Sequence, residues 1–194
     1  MCSQNQVREA ESYYALLLES LKAVKMKLIS YDDNNEDKYV NERAFAYELY
    51  RQLANKLYSD IGCVDKWKEE RPSVVINAEL YKCVGKNNEE DDKGRKFPDI
   101  VIHGGQNDKG KQYIVCEIKV KASEPEIEHD IEKLFDYMDN NKMYEHEYKI
   151  GVFINVGSKA NFEKNIYNCL VNFKNRKGKL ICISYDRGDV EVLR

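Results

Sequence analysis

Asp99, Glu117 and Lys119 stand inside or beside apolar runs in "FPDIVIHGGQNDKGKQYIVCEIKV", Phe97 to Val120. Burying a charge costs several kcal/mol unless another group compensates it, so three in one hairpin need a reason. If the two strands pair symmetrically about residue 108, Asp99 falls opposite Glu117, because 99 plus 117 is twice 108. Glu117 and Lys119 are two apart and project from one face of their strand. Asp99 shares that face in this register. Two adjacent carboxylates repel, and a divalent cation relieves the repulsion better than one lysine does. Hard oxygen ligands suit Mg²⁺ or Mn²⁺, and Mg²⁺ usually keeps several waters. A cation so placed polarises a phosphoryl oxygen and makes a bound water more acidic. Lys119, just outside its ligands, is suited to orient an attacking water and to stabilise charge growing on the phosphate. Phosphodiester hydrolysis is the chemistry this set suggests. Glu79 alternates with Asn77 on the polar face of the preceding strand and is a further acidic candidate.

The elements that must carry these groups follow from periodicity. Over 7–29, Ala10, Tyr14, Leu17, Leu21, Val24 and Leu28 recur at alternating spacings of four and three, one apolar helical seam. It packs on its own domain or supplies a contact for a second copy or a protein partner. "YDDNNED" (31–37) is an acidic connector. A second helix over about 39–59 buries Phe45, Leu49, Leu53 and Leu57. Glu42 shares that face near the helix start, where a carboxylate either complements the helix dipole or reaches inward. "SVVINAELYKCV" (73–84) reads as a strand, and a polar loop leads from it to the hairpin. A helix over about 124–140 carries Ile127, Ile131, Leu134, Phe135 and Met138. "YKIGVFINV" (148–156) reads as a central strand buried on both faces. A helix after Ser158, a strand "KLICISYD" and a short "VEVL" partner complete the chain. The order helix, helix, three strands, helix, strand, helix, strand predicts an α/β fold with a mixed sheet.

Composition bounds the rest. The 194 residues are 42% hydrophobic and 34% charged, ordinary for one globular domain, 1–194. A net charge of −3 puts any basic surface for nucleic acid in local patches such as "KGRK" (93–96) or "NRKGK" (175–179). No apolar run approaches a membrane span, no secretory h-region opens the chain, and the six cysteines contain no C-x-x-C pair. A reduced, cytoplasmic protein without membrane association is the expectation. His103 shares Asp99's strand face but sits toward the loop, where a structural role is expected.

"PD" at 98–99 followed by "EIK" at 117–119 resembles the PD-(D/E)xK nuclease superfamily, with its restriction-endonuclease-like fold. The family's α-β-β-β-α-β core matches the expected order over residues 39–156, with 7–30 as an extra N-terminal helix and 157–194 as a C-terminal helix and strand. The resemblance implies Asp99 and Glu117 as metal ligands, the backbone carbonyl of Ile118 as a third, and Lys119 as the catalytic lysine. It makes Glu42, in "NERAFAYEL", a match for the glutamate that members carry on the preceding helix, binding metal directly or through water. Some members also have Q-x-x-x-Y on the following helix. Here the stretch reads "KLFDY", so Lys133 replaces glutamine; it and Tyr137 become candidates to touch substrate phosphate, although a solvated helix lysine is the plainer reading of Lys133. The implied activity is a Mg²⁺- or Mn²⁺-dependent nuclease acting on DNA. The alternative is a catalytically silent module of the same fold that binds nucleic acid or a protein partner.

Overall fold

A computed structural model of the chain describes residues 4–25, 30–31, 39–59, 74–78, 98–104, 111–139, 147–157 and 159–193. Helix α1 (Gln4–Lys22) is followed by a two-residue antiparallel pair, β1 (Ser30–Tyr31) and β2 (Tyr39–Val40), which the sequence pattern did not suggest. Helix α2 (Glu42–Tyr58) precedes the main sheet. That sheet is built in chain order from β3 (Val75–Ala78), β4 (Ile100–His103), β5 (Gln112–Val120), β6 (Ile150–Val156), β7 (Lys179–Asp186) and β8 (Asp189–Val192). Helix α3 (Glu124–Met138) joins β5 to β6, and α4 (Lys159–Asn172) joins β6 to β7. The fold is α/β, with a mixed six-stranded sheet flanked by four helices.

Pairing is antiparallel from β3 to β5, parallel from β5 to β7, and antiparallel again at β8. Successive parallel neighbours joined by right-handed crossovers place both connecting helices on one face. Val101, Val115, Phe153 and Cys182 accordingly pack with Ile127, Ile131, Leu134 and Phe162 from α3 and α4. The residues in the opposite phase, among them Ile100, Ile114, Ile118, Val152 and Ile183, pack against α1 and α2. β6 is buried along its whole length, as its unbroken apolar run predicts.

The seam of α1 is taken up within the chain: Ala10, Leu17, Leu21 and Val24 are all buried in the α1/α2 layer. Polar ties fix it further. The Tyr113 hydroxyl donates to Glu9 Oε2 at 2.7 Å, and the Tyr185 hydroxyl donates to the Val24 carbonyl at 3.1 Å. Among the described residues no helix is long and apolar enough to cross a membrane. Cys116, Cys169 and Cys182 are buried free thiols.

Candidate active site

The hairpin register places the first carboxylate. Ile100 pairs with Cys116, Val101 with Val115 and Ile102 with Ile114, so each pair is symmetric about residue 108, and the register slips only at His103. Asp99 lies one residue before β4, where its backbone N–H donates to the Cys116 carbonyl at 3.1 Å. Its side chain continues the ladder: Oδ2 accepts the Ile118 N–H at 2.6 Å. The Asp99 N–H to Cys116 bond falls one residue short of the register symmetric about 108, so regular pairing ends at Ile100. Both backbone polar groups of a strand residue face the same neighbour, so the Ile118 carbonyl also leaves β5 on Asp99's side. Pro98, the residue before Asp99, has no N–H with which to continue the ladder. The Pro-Asp step thus stops the ladder, satisfies one backbone group with a carboxylate and offers a carbonyl beside it.

Glu117 and Lys119 project from β5 toward α3, on the face of Val115. Glu117 is 2% exposed. Burial pushes its carboxyl well above the usual range; the charges of Asp99 and Asp130 push the same way, and Lys133 pulls against them. Asp99 is raised to about 6 by burial, partly offset by the Ile118 N–H and the two lysines. Lys119 Nζ donates to Glu42 Oε1 at 3.0 Å and lies 3.9 Å from Asp130 Oδ2. Burial works against its charge, but Glu42, Asp130 and Asp99 outweigh that and hold the ammonium above its ordinary pKa.

Helices α2 and α3 close the set from two sides. Asn41 caps α2 by accepting the Ala44 N–H at 3.0 Å, which puts Glu42 on the first turn. There its Oε1 is engaged by Lys119, while its charge is also felt at Asp99. Helix α3 starts at Ser123, whose backbone N–H and hydroxyl both donate to Glu126 Oε2, with Pro125 in its first turn. Asn155, buried in β6, accepts the Ala122 N–H at 2.9 Å and so pins the link from β5 to this helix. Replacing Asn155 with alanine leaves that N–H without a partner, and a loss of about 1–3 kcal/mol is expected from urea unfolding.

Lys133 is not solvated. It is 9% exposed, and its ammonium stands 2.8 Å from Glu117 Oε1. Tyr137 is fully buried and packs edge-on against Tyr148, so the substrate contact implied for it has no surface to act from. Asp130, which the sequence reading missed, is buried on the same turn as Lys133. Its Oδ2 has no hydrogen-bond partner, and burial raises its carboxyl pKa, while Lys119, Lys133 and His129 pull it down. One signal was present: 130 falls three after Ile127 and four before Leu134, an apolar phase occupied by a carboxylate. His103 is structural, its Nε2 2.6 Å from Asn77 Nδ2. Glu79 and the basic stretch 93–96 lie outside the described residues. The other basic stretch sits at the start of β7, the opposite end of the parallel strands from Lys119, with Arg176 on Asp136 and Lys179 on Glu11.

Two carboxylates and a backbone carbonyl make a hard, oxygen-only donor set suited to Mg²⁺ or Mn²⁺. Among the described residues no three His, Cys, Asp or Glu side chains form a group that could cage a metal ion. A cation at Asp99 and Glu117 would therefore complete its shell with the Ile118 carbonyl and water, as Mg²⁺ commonly does. Comparison of the chain with family models, with curated proteins and with solved structures found no match.

Proposed function

We propose that this chain is a divalent-metal-dependent nuclease of the PD-(D/E)xK type, hydrolysing phosphodiester bonds of DNA on a restriction-endonuclease-like core. One observation carries the reading. Asp99 and Glu117 are held side by side with raised proton affinities, and Lys119 stands two residues along the same strand face. Proteins do not keep such a pair for stability, since buried charges replaced by apolar groups of similar volume often leave a fold no weaker. The order α2-β3-β4-β5-α3-β6 supports the same assignment. DNA as substrate rests on the resemblance.

Asp99 and Glu117, with the Ile118 carbonyl, would hold Mg²⁺ or Mn²⁺, which supplies Lewis-acid polarisation of a phosphoryl oxygen and a more acidic water. Asp99 is pre-oriented by the Ile118 N–H, so its remaining oxygen is fixed in direction. Lys119 is restrained by Glu42 and Asp130 and carries its charge throughout the neutral range. From that position its ammonium orients the attacking water and meets the negative charge that grows on the phosphate. Because the restraint is made by side chains already in place, little reorganisation accompanies the reaction.

A second reading has its own observation: Lys133 pairs with Glu117, so the acidic groups form an ion-pair network that a silent binding module could retain. Nicking of supercoiled plasmid with Mg²⁺ or Mn²⁺, against an EDTA control, separates the two. Cation-dependent nicking is expected. Absence of cleavage on double-stranded, single-stranded and RNA substrates would transfer the assignment to the silent module.

A further inference from the structure

Backbone conformation singles out one more lysine at this end of the sheet. Lys121 follows β5 directly, two residues beyond Lys119, with a φ of 52°. That left-handed region costs most side chains energy and suits glycine or asparagine. The turn itself is fixed from both sides. The Lys121 N–H donates to the Val156 carbonyl at 2.9 Å, and the next N–H, of Ala122, donates to Asn155 Oδ1 at 2.9 Å. Lysine is a poor choice for such a backbone, and its exposure rules out a place in the core. Its side chain therefore needs another reason.

That side chain has a definite course. Gly157, at the end of β6, has a φ of 125°, and a Cβ there would stand 3.0 Å from Lys121 Cγ and 4.0 Å from its Cε. The stem thus lies across Gly157, on the β6 side of Lys119, whereas Asp99 stands on the β4 side. Lys119 and Lys133 are both held by carboxylates, those of Glu42 and Glu117. Among the described residues no ion pair or side-chain hydrogen bond occupies the Lys121 ammonium. We propose, building on the nuclease reading above, that Lys121 binds a DNA phosphate adjacent to the one that is cleaved. Two residues of extended chain span about 6–7 Å, which sets the two lysines one such step apart along the exit of β5. An ammonium is a compact charge with three donors, suited to phosphate oxygens whatever the base. Such a contact fixes where the strand lies and carries no sequence information. Lys119 acts on the reacting phosphate, and Lys121 anchors the strand beside it.

Lys121→Asn and Lys121→Gly both suit the left-handed backbone, so their urea midpoints should be no lower than that of the natural protein. Fluorescence anisotropy of a labelled DNA duplex in EDTA, across a salt series, reads binding without cleavage. One phosphate contact contributes about 0.9 to the slope of log affinity against log salt, so the natural protein's advantage over either variant should shrink about 3.5-fold between about 50 and about 200 mM salt. Lys121→Arg keeps a phosphate-binding charge and should restore the slope. With Mn²⁺, the DNA concentration giving half-maximal cleavage should rise in both variants by more than the rate at saturating DNA falls. Equal salt slopes for the natural protein and both variants, in binding and in half-saturating DNA, would overturn the inference while plasmid nicking left the nuclease reading intact. Lowered urea midpoints with an unchanged slope would overturn it too, by making Lys121 a purely structural residue. Binding that follows the expected slopes without any cleavage would keep the phosphate contact and overturn the nuclease reading alone. A natural protein that neither binds nor cleaves DNA overturns both.

Discussion

Lys119→Ala should lower Mn²⁺-dependent cleavage by about 10²–10³-fold, the effect typical of removing one preorganised donor from a transition state. The loss should appear in the rate at saturating metal, while the Mn²⁺ concentration giving half-maximal activity stays where it was, because Asp99 and Glu117 are untouched. The fold tolerates the change. Glu42 is partly exposed and regains water, and Asp130 keeps the opposing charge of Lys133 nearby. Lys119→Arg should recover little, since a planar fork does not reproduce a compact ammonium held between two carboxylates. Single-turnover cleavage of a labelled duplex measures this. Cleavage within about threefold of the natural protein would remove Lys119 from the mechanism.

The metal-free protein should lose stability as pH rises from about 4 to about 6. An unfolded aspartate releases its proton near 3.8, whereas folded Asp99 holds its proton to about 6. Below both values the two states are equally protonated. Between them the unfolded chain binds fewer protons than the native one, so unfolding becomes easier with each step up in pH. Above 6 the full difference has been lost, about 3 kcal/mol for a shift of this size. Glu117 is shifted in the same direction and adds to the trend. Other carboxylates such as Glu48 and Glu126 are lowered and act oppositely in acid, so the informative quantity is a difference. Asp99→Asn removes the titration yet still accepts the Ile118 N–H. Urea midpoints should coincide for the two proteins near pH 4 and favour Asp99→Asn at pH 7 without metal. Saturating Mn²⁺ should reverse the order, because a ligand that binds only the native state stabilises it by mass action. A gap between the two proteins that is the same at pH 4 and pH 7 would sink the prediction.

How much of this was legible in the sequence depends on where each residue's partner lies. The hairpin was legible because a one-residue slip between two apolar strands would turn every side chain to the wrong face, and the observed pairs keep the expected register from Ile100 to Ile102. Helix α1, expected over 7–29, stops at Lys22, whereas α2 to α4 were legible from their apolar spacing within a few residues at each end. Lys133 was not. Its position in the buried phase of α3 is visible only by spacing, and helical spacing grades apolar residues, not lysines. What buries it is Glu117, on another element. Asp130 escaped for the same reason, and Glu42's actual partner, Lys119, is 77 residues away. The acid pair was found because hairpin geometry is local; the cations that answer it come from helices whose docking no local rule specifies.

The tie between Tyr185 and Val24 joins residues 161 apart. On a ribosome adding about 5–20 residues per second, that interval is roughly 8–32 seconds. The turn after α1 therefore waits for the seventh strand, although α1 itself packs mainly on α2 and β5, which are made earlier. Helix α2 and the β4–β5 hairpin can assemble early, but the layer that seals them closes only after β7 has left the exit tunnel. Ala10, Leu17 and Leu21 are thus covered once α2 and β5 are made, and it is the end of this layer at Val24 that stays open longest during synthesis.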